Sequence, residues 1–318
     1  MQGFPHAYEL SAPTDSPVVL VFVHGWMLSR AYWQPVIEQL SKTYQCLSYD
    51  LRGFGESQPD RPSTNHSERP TPPSPVGASP GSPPATASLL EPAATQTAIL
   101  PESRLTSYTP AAYAQDLNQL LQTLKISHAW IIGHSLGGSI ALWAADQAPG
   151  AIAGVICVNA GGGIYLKEEF ERFRSAGCQL VKFRPRWLSY IPLLDLTLTR
   201  LNVTQPLEPR WGRQRLLDLL SALPEAALGA LLESTTEAEV HLLPQVITRL
   251  QQPVHFIAGE NDTVMEPQYV RHLASFHPSF ECCGNNVTEL PHCGHLAMVE
   301  QPNAVVQEIL RVLKTNLG

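Results

Sequence analysis

The sequence predicts an α/β fold built on a mostly parallel, doubly wound sheet. Short apolar runs alternate with amphipathic helical patterns along most of the 318 residues. The run VVLVFV at 18–23 is rich in β-branched residues and lacks polar alternation, which is typical of a strand buried on both faces. Because helical patterns separate such strands, we expect parallel pairing with helices on both faces of the sheet.

Six strands and four helices follow from this alternation. After 18–23, the expected strands lie at 45–49, 129–132, 155–158, 254–258 and 280–290, the start of the last being the least defined. The expected helices lie at 32–40, 111–124, 139–148 and 304–313. In the second of these helices, Leu117, Leu121 and Leu124 form one apolar stripe.

Two regions interrupt the alternation. Residues 58–107 hold eleven of the 28 prolines among Ser, Thr and Ala, so they bury too little apolar surface to offset the entropy of ordering. We predict that 58–107 is a disordered insertion. Residues 163–245 are helical in pattern and lie between two expected strands, which predicts a helical cap on a core formed by 1–162 and 246–318.

Composition excludes several classes of protein. With 44% hydrophobic and 15% charged residues the chain can bury a sizeable core, and a formal charge of -7 argues against nucleic acid as a partner. The N-terminus lacks a secretory signal and no segment reaches membrane-spanning length. The six cysteines show no metal-ligand spacing. We therefore expect a cytoplasmic protein with free thiols.

A candidate nucleophile lies in the stretch IIGHSLGGSIALWAA, residues 131–145. Ser135 stands between Gly133 and Gly137, where an expected strand turns into an expected helix. Such a turn lifts the side chain clear of the backbone, and small residues on both sides allow the close approach that it requires. The N-terminus of the following helix suits a developing oxyanion. The pattern therefore indicates a catalytic serine.

A serine nucleophile needs a histidine base, which a carboxylate orients. Asp262 follows the strand expected at 254–258, and His295 follows the strand expected to end at 290. Glu260 is a rival for the acid and His292 a rival for the base. The Gly-His pair at 294–295, followed by Glu and Pro at 300 and 302, favours His295.

Five motifs in order resemble those of the α/β-hydrolase fold superfamily, in its serine hydrolase branch. They are HGW at 24–26, DLRGFGES at 50–57, GHSLGG at 133–138, GEND at 259–262 and GHLAMVEQP at 294–302. The resemblance covers roughly 18–57, 108–162 and 254–318. It implies Ser135 as nucleophile, Asp262 as orienting acid and His295 as base, with the backbone amides of Leu136 and Trp26 as the oxyanion hole.

The chain departs from this family in two places. Few residues precede the first strong strand, so the family's first strand or two are expected to be short or absent. The proline-rich insertion stands where relatives continue directly into the next helix. Neither departure touches the five motifs.

The substrate pocket is expected to include His24, Gly25 and His134, with His24 holding the oxyanion loop by hydrogen bonds. Trp187 is a further candidate, in a cap segment at 181–201 that mixes basic and apolar residues. One interpretation is an apolar entrance for a lipophilic acyl or prenyl chain, with transient contact to a membrane surface. The other is ordinary helix packing with solvated arginines.

These observations predict a serine hydrolase that cleaves a lipophilic carboxylic ester or thioester, either a small molecule or a lipid, by acyl-enzyme chemistry. No metal or cofactor is expected, since neither a ligand cluster nor a phosphate loop occurs. The same triad serves carbon-carbon bond hydrolases, cofactor-free peroxidases and acyltransferases, and a non-catalytic binding protein is a further alternative. Epoxide and haloalkane hydrolysis are disfavoured, because relatives with those activities carry aspartate at the position of Ser135.

Overall fold

The computed structural model describes residues 4–58, 95–100, 107–161, 167–191, 193–281 and 284–317. Within these ranges eight strands form one sheet: β1 (Phe4–Leu10), β2 (Val19–Val23), β3 (Gln45–Tyr49), β4 (Gln96–Leu100), β5 (Ala129–His134), β6 (Ile152–Val158), β7 (Val254–Gly259) and β8 (Val287–Leu290). Their order is β4-β1-β3-β2-β5-β6-β7-β8. The six strands from β3 to β8 in this order are parallel, and β1 is antiparallel to both of its neighbours.

Helices connect the strands. They are α1 (Gln34–Leu40), α2 (Pro110–Thr123), α3 (Leu136–Gln147), α4 (Lys167–Lys182), α5 (Leu194–Leu198), α6 (Pro209–Ser221), α7 (Pro224–Ser234), α8 (Glu237–Arg249), α9 (Pro267–Ala274), α10 (Ala297–Glu300) and α11 (Pro302–Leu317). Short 3₁₀ helices occur at Arg30–Trp33, Arg186–Tyr190 and Pro278–Phe280. The strand expected over 280–290 begins only at Val287, because the chain first forms the last of these 3₁₀ helices and a turn.

The apolar side chains pack in two layers, one on each face of the sheet. Along β2, Val21 belongs to the cluster that includes α2 and α3, whereas Leu20 and Phe22 belong to the cluster that includes α1 and α11. Because successive side chains of a strand point to opposite faces, a strand covered on both sides must be apolar at every position. This explains the unbroken run VVLVFV and confirms the predicted doubly wound α/β fold.

One edge of the sheet differs from the expectation. The first strand, predicted to be short or absent, is the seven-residue β1, and it pairs with β4 over five residue pairs. The prediction of disorder for 58–107 is therefore wrong for Gln96–Leu100. Residues 59–94 and 101–106 of the predicted insertion lie outside the described residues. An edge strand is stabilised by pairing with a distant segment, which a local pattern does not reveal.

Arg30 joins the two described flanks of residues 59–94. Its Nη2 atom donates to Glu56 Oε2 and to Thr95 Oγ1, both at 2.8 Å. The same guanidinium donates to Glu9 at 3.0 Å and to the buried carboxylate of Asp50. A planar guanidinium has five donors in a fixed arrangement, so one buried arginine can hold four groups together.

Helices α4 to α8 lie between β6 and β7, where the sequence predicts a helical cap. They contact the loop after β2: the Trp26 indole Nε1 donates to the carbonyl of Ala227 in α7 at 2.8 Å, and Ser29 Oγ donates to Asp218 in α6 at 3.1 Å. The division of the chain into a core and a cap domain stays a prediction. None of the helices in the described ranges is long and apolar enough to cross a membrane.

Candidate active site

Ser135 lies at a sharp turn between β5 and α3. Its backbone has φ 52° and ψ −120°, a conformation that is unfavourable for a residue with a side chain. A Cβ atom on Gly133 would lie 2.2 Å from the carbonyl oxygen of Gly137, and one on Gly137 would lie 2.4 Å from that of Val23. The two glycines therefore allow β5, α3 and the end of β2 to pack at the distance that the turn requires.

His295 and Asp262 form a hydrogen-bonded pair beyond β8 and β7. His295 Nδ1 lies 2.8 Å from Asp262 Oδ2, and both residues are buried. Because the carboxylate accepts, Nδ1 carries the proton and Nε2 of the neutral ring is left as an acceptor. The rest of the carboxylate is also occupied, since Oδ1 accepts the backbone amides of Val264 at 2.8 Å and Met265 at 2.9 Å.

The pKa of Asp262 lies below its ordinary value. Burial opposes ionisation of the carboxyl, but the hydrogen bond and charge of His295 and the two backbone amides favour the ionised form and outweigh burial. Asp262 is therefore a carboxylate in the pH range in which the neighbouring histidine acts.

Asn159 is a site residue that the sequence analysis missed. It follows β6, is fully buried, and donates from Nδ2 to Asp262 Oδ2 at 2.8 Å and to the carbonyl of Gly294 at 3.2 Å. Its φ of 49° lies in the left-handed region, which asparagine adopts more readily than most residues. Its position at the carboxyl end of a parallel strand, in the stretch VNAGGG at 158–163, was the signal available in the sequence.

Two further histidines form hydrogen bonds with the backbone around the site. His134 Nε2 donates to the carbonyl of His295 at 2.8 Å, and the two rings pack with centroids 4.8 Å apart. Burial, with a contribution from His295, lowers the pKa of His134 to about 3, so this ring stays neutral. His24 Nδ1 donates to the carbonyl of Gly25 at 2.8 Å, and its Nε2 accepts from the Leu51 amide at 2.9 Å, so the ring links the loop after β2 to the loop after β3.

A small cavity of about 70 Å³ lies next to Ser135. Trp26 and Leu136 line it beside the serine, the apolar side chains of Phe173, Leu231, Leu243 and Met265 form much of its wall, and its polar groups come from Ser139, Ser234, Thr235 and Glu239. In the described ranges no carbonyl accepts from the backbone amides of Trp26 or Leu136. Both amides are therefore available to a ligand oxygen.

Four residues predicted for the substrate pocket are not among those that line this cavity. His24 and His134 are fully buried, and Gly25 packs against the His134 ring, where a Cβ atom would lie 2.7 Å from Nδ1. Trp187 is 60% exposed on the cap. His24 and His134 hold the backbone around the site by hydrogen bonds, and Gly25 packs against the His134 ring. Trp187 is an exposed residue of the cap segment.

The rival acid and base lie away from the His295–Asp262 pair. Glu260 Oε2 accepts the backbone amide of His292 at 2.9 Å, and the His292 side chain is 85% exposed. This contact belongs to the surface of the loop after β8. Within the described residues, no group of three or more His, Cys, Asp or Glu side chains is arranged to hold a metal ion.

The sheet order, the strained serine after β5 and the buried acid-histidine pair beyond β7 and β8 define an α/β hydrolase. The profile of the alpha/beta hydrolase fold family matches residues 18–302, and the chain belongs to that family. It is an enzyme of this class, with relatives named as hydrolases and esterases.

Individual relatives are distant. The 2-succinyl-6-hydroxy-2,4-cyclohexadiene-1-carboxylate synthase of Salmonella arizonae is 25% identical over 97% of this chain and 98% of its own. An uncharacterized protein of Mycobacterium tuberculosis is 24% identical over 99% of this chain and 80% of its own. A thermophilic esterase from Thermogutta terrifontis superposes with a TM-score of 0.65 at 21% identity, over 98% of this chain and 93% of its own, which shows the common fold.

Proposed function

We propose that the protein hydrolyses a carboxylic ester or thioester with a short acyl group, through an acyl-enzyme on Ser135. The observation that carries the proposal is the 2.8 Å hydrogen bond between His295 Nδ1 and Asp262 Oδ2. It sets the histidine tautomer that a general base needs, at the same edge of the sheet as a serine in a strained turn.

In the first step, His295 Nε2 takes the proton of the Ser135 hydroxyl while Oγ attacks the scissile carbonyl carbon. The carbonyl oxygen becomes an oxyanion, which the backbone amides of Trp26 and Leu136 bind. When the tetrahedral intermediate collapses, the bond to the alcohol or thiol breaks and His295 returns the proton to this leaving group. The acyl group is then bonded to Ser135.

In the second step, water replaces the leaving group. His295 takes a proton from water, the hydroxide attacks the acyl carbon, and collapse of the second intermediate returns the proton to Ser135 and releases the acid. Throughout, the Asp262 carboxylate stabilises the charged ring, and Asn159 and two backbone amides hold that carboxylate in place.

The cavity favours a shorter acyl group than the lipophilic chain expected from the cap sequence. Its volume of about 70 Å³ is well below the roughly 300–1,000 Å³ of pockets that enclose drug-sized ligands. Apolar side chains on the cap are exposed, among them Phe183, Trp187 and Tyr190. Contact of this surface with a membrane stays a prediction, and hydrolysis in the proposed cavity does not depend on it.

The test is a series of p-nitrophenyl esters from acetate to decanoate, combined with labelling by a serine-directed fluorophosphonate. We expect hydrolysis with kcat/KM highest for the shortest esters, stoichiometric labelling of Ser135, and loss of both in Ser135→Ala. The loss in kcat should be on the order of a million-fold, because the three residues act as a unit. Ser279→Ala, a change at an exposed serine, is the control.

Two results would reject the proposal. One is ester hydrolysis by Ser135→Ala at more than a few per cent of the unmodified rate. The other is a well-folded unmodified protein that neither turns over any ester nor reacts with the phosphonate, as expected of a non-catalytic binding protein. Analysis of products separates hydrolysis, which releases the free acid, from acyl transfer to an added alcohol.

A further inference from the structure

Glu239 places a buried carboxyl group in the wall of the cavity beside Ser135. It lies in the first turn of α8, is only 7% exposed, and lines the cavity together with Ser135. The indole Nε1 of Trp143 donates to its Oε1 at 2.6 Å. Within the described ranges, no side chain or amide donates to the second oxygen, Oε2.

This carboxyl has no charged partner in the part of the chain that the structure describes. Burial raises the pKa of Glu239, and the Trp143 hydrogen bond opposes this rise. Oε2 is not one of the enclosed side-chain atoms that lack a hydrogen-bond partner, so it is accessible from the cavity that Glu239 lines. A ligand in the cavity can therefore donate a hydrogen bond to Oε2.

A neighbouring hydroxyl group also presents an acceptor. Ser234 Oγ donates to the carbonyl of Leu231 at 3.5 Å, and Thr235 Oγ1 donates to the same carbonyl. Thr235 Oγ1 already accepts a hydrogen bond from Arg174 Nη1 at 3.0 Å, whereas the Ser234 oxygen keeps its lone pairs. Glu239 and Ser234 therefore present the acceptor oxygens of this part of the cavity to a ligand that donates hydrogen bonds.

The cavity is on the acyl side of the reaction centre. Ser135 lines it with Trp26 and Leu136, whose amides face the reacting carbonyl in the proposed mechanism, whereas His295 does not line it. The leaving alcohol must lie at His295, because that ring returns a proton to it. The group that enters the cavity is therefore the acyl group.

We propose that Glu239 is a specificity-determining residue that binds an ammonium group at the end of a short acyl chain, while Trp143 positions its carboxylate. The inference rests on the ester hydrolysis proposed above and names its substrate class, esters of short amino acids. An ammonium group supplies hydrogen-bond donors and a positive charge to Glu239, which has no ion pair with a described residue, whereas the nearby Arg174 donates to Thr235.

The test compares two esters of nearly identical shape. Ethyl 3-aminopropanoate is protonated at pH 7.5 and carries an ammonium group where ethyl butanoate carries a methyl group. We expect the unmodified protein to favour the ammonium ester in kcat/KM. In Glu239→Gln, which keeps an acceptor for Trp143 but removes the charge, the ratio of the two kcat/KM values should fall about 10- to 100-fold.

The matched control is Glu237→Gln, the same change two residues earlier in α8, where the side chain is 93% exposed. We expect it to leave the ratio unaltered. A preference of the unmodified protein for ethyl butanoate, or the same ratio in Glu239→Gln as in the unmodified protein, would overturn the proposal.

A binding measurement separates this inference from the proposed reaction. In a Ser135→Ala background, calorimetric titration should show tighter binding of ethyl 3-aminopropanoate than of ethyl butanoate, and Glu239→Gln should abolish the difference. If the two esters bind with different affinities but the unmodified protein hydrolyses neither, the proposed hydrolysis is rejected and the ammonium site is retained. If the protein hydrolyses esters but binds the two equally well, the ammonium site is rejected and the hydrolysis is retained. If Glu239→Gln does not fold, competition by propylammonium against p-nitrophenyl acetate in the unmodified protein decides, since absence of competition contradicts the site.

Discussion

At the scale of residues, the candidate site is organised around one carboxylate that has a partner for each lone-pair direction. Asp262 accepts hydrogen bonds from His295, Asn159 and the amides of Val264 and Met265. A carboxylate held in this way keeps the histidine ring in one orientation and one tautomer.

This arrangement predicts a large effect of Asp262→Asn. If the amide oxygen keeps the two backbone donors, the NH₂ group faces His295 Nδ1 and donates to it, so that Nε2 carries the proton and no longer acts as a base. We expect kcat to fall about 10⁴-fold with the fold retained, measured by ester hydrolysis and circular dichroism.

Glu260→Gln is the control, because Glu260 contacts only the exposed loop at His292. We expect its kcat to stay within about two-fold of the unmodified value, as for a surface change away from the site. A reversed result, with Glu260→Gln inactive and Asp262→Asn active, would show that the acid is assigned to the wrong residue.

At the scale of elements, α6 is attached to the loop after β2 through a buried carboxyl group. Asp218 accepts hydrogen bonds from Ser29 at 3.1 Å and from Gln214 at 3.0 Å and is only 4% exposed. Burial, with a contribution from the nearby charge of Asp50, raises the pKa of Asp218 from 3.8 to about 7. This contact between α6 and the loop after β2 should therefore respond to pH.

The sign follows from the raised pKa. Between about pH 4 and pH 7 the folded protein keeps a proton on Asp218 that the unfolded chain has lost, so the free energy of unfolding decreases as pH rises through this range. Asp218→Asn removes this dependence, because an amide stays neutral. We compare the free energy of unfolding of the variant with that of the unmodified protein at each pH. The difference between the two proteins should be about 1–3 kcal/mol more in favour of the variant at pH 8 than at pH 5.

Urea titrations of both proteins at the two pH values measure this difference. Glu225→Gln, at an exposed position in the first turn of α7, should show the same small effect at both. An equal effect of Asp218→Asn at pH 5 and pH 8 would contradict a raised pKa for this carboxyl.

For the molecule as a whole, the first edge of the sheet is formed by β4, the strand that follows the proline-rich residues 59–94. β4 pairs with β1, and the hydroxyl of Tyr8 donates to Gln96 at 2.9 Å. Glu56 and Thr95, on the two sides of residues 59–94, both accept hydrogen bonds from Arg30. A short connection can therefore replace 59–94, provided that β4 is kept.

Two replacements test this conclusion. Exchanging 59–94 for about six Gly and Ser residues should leave Tm equal or higher, since shortening the loop lowers its closure cost by about 1–2 kcal/mol. Exchanging 59–100 for the same linker also removes β4, so β1 loses its five pairs and we expect Tm to fall by several degrees.

Differential scanning calorimetry of the two proteins and ester hydrolysis measure the outcome. A large loss of Tm in the first replacement would show that 59–94 contribute to the stability of the core. A loss of kcat/KM with an unaltered Tm would instead give that segment a role at the active site.

The features that depend on neighbours along the chain could be predicted from the order of the residues alone. Buried parallel strands have unbroken apolar runs, and the spacing of Gly133, Ser135 and Gly137 follows from a tight turn between a strand and a helix. These local requirements predicted the α/β fold, the order of the candidate residues and the parallel part of the sheet. The preference for Asp262 and His295 came with the family's motifs.

The features that depend on groups far apart in the chain became visible only in the folded protein. β1 and β4 are paired across most of a hundred residues, Asn159 donates to the buried carboxylate of Asp262, and Glu239 lies in the wall of the cavity. Strand pairing, burial and the loss of solvent around a charge depend on which groups pack against a residue. A pattern of adjacent residues does not carry that information.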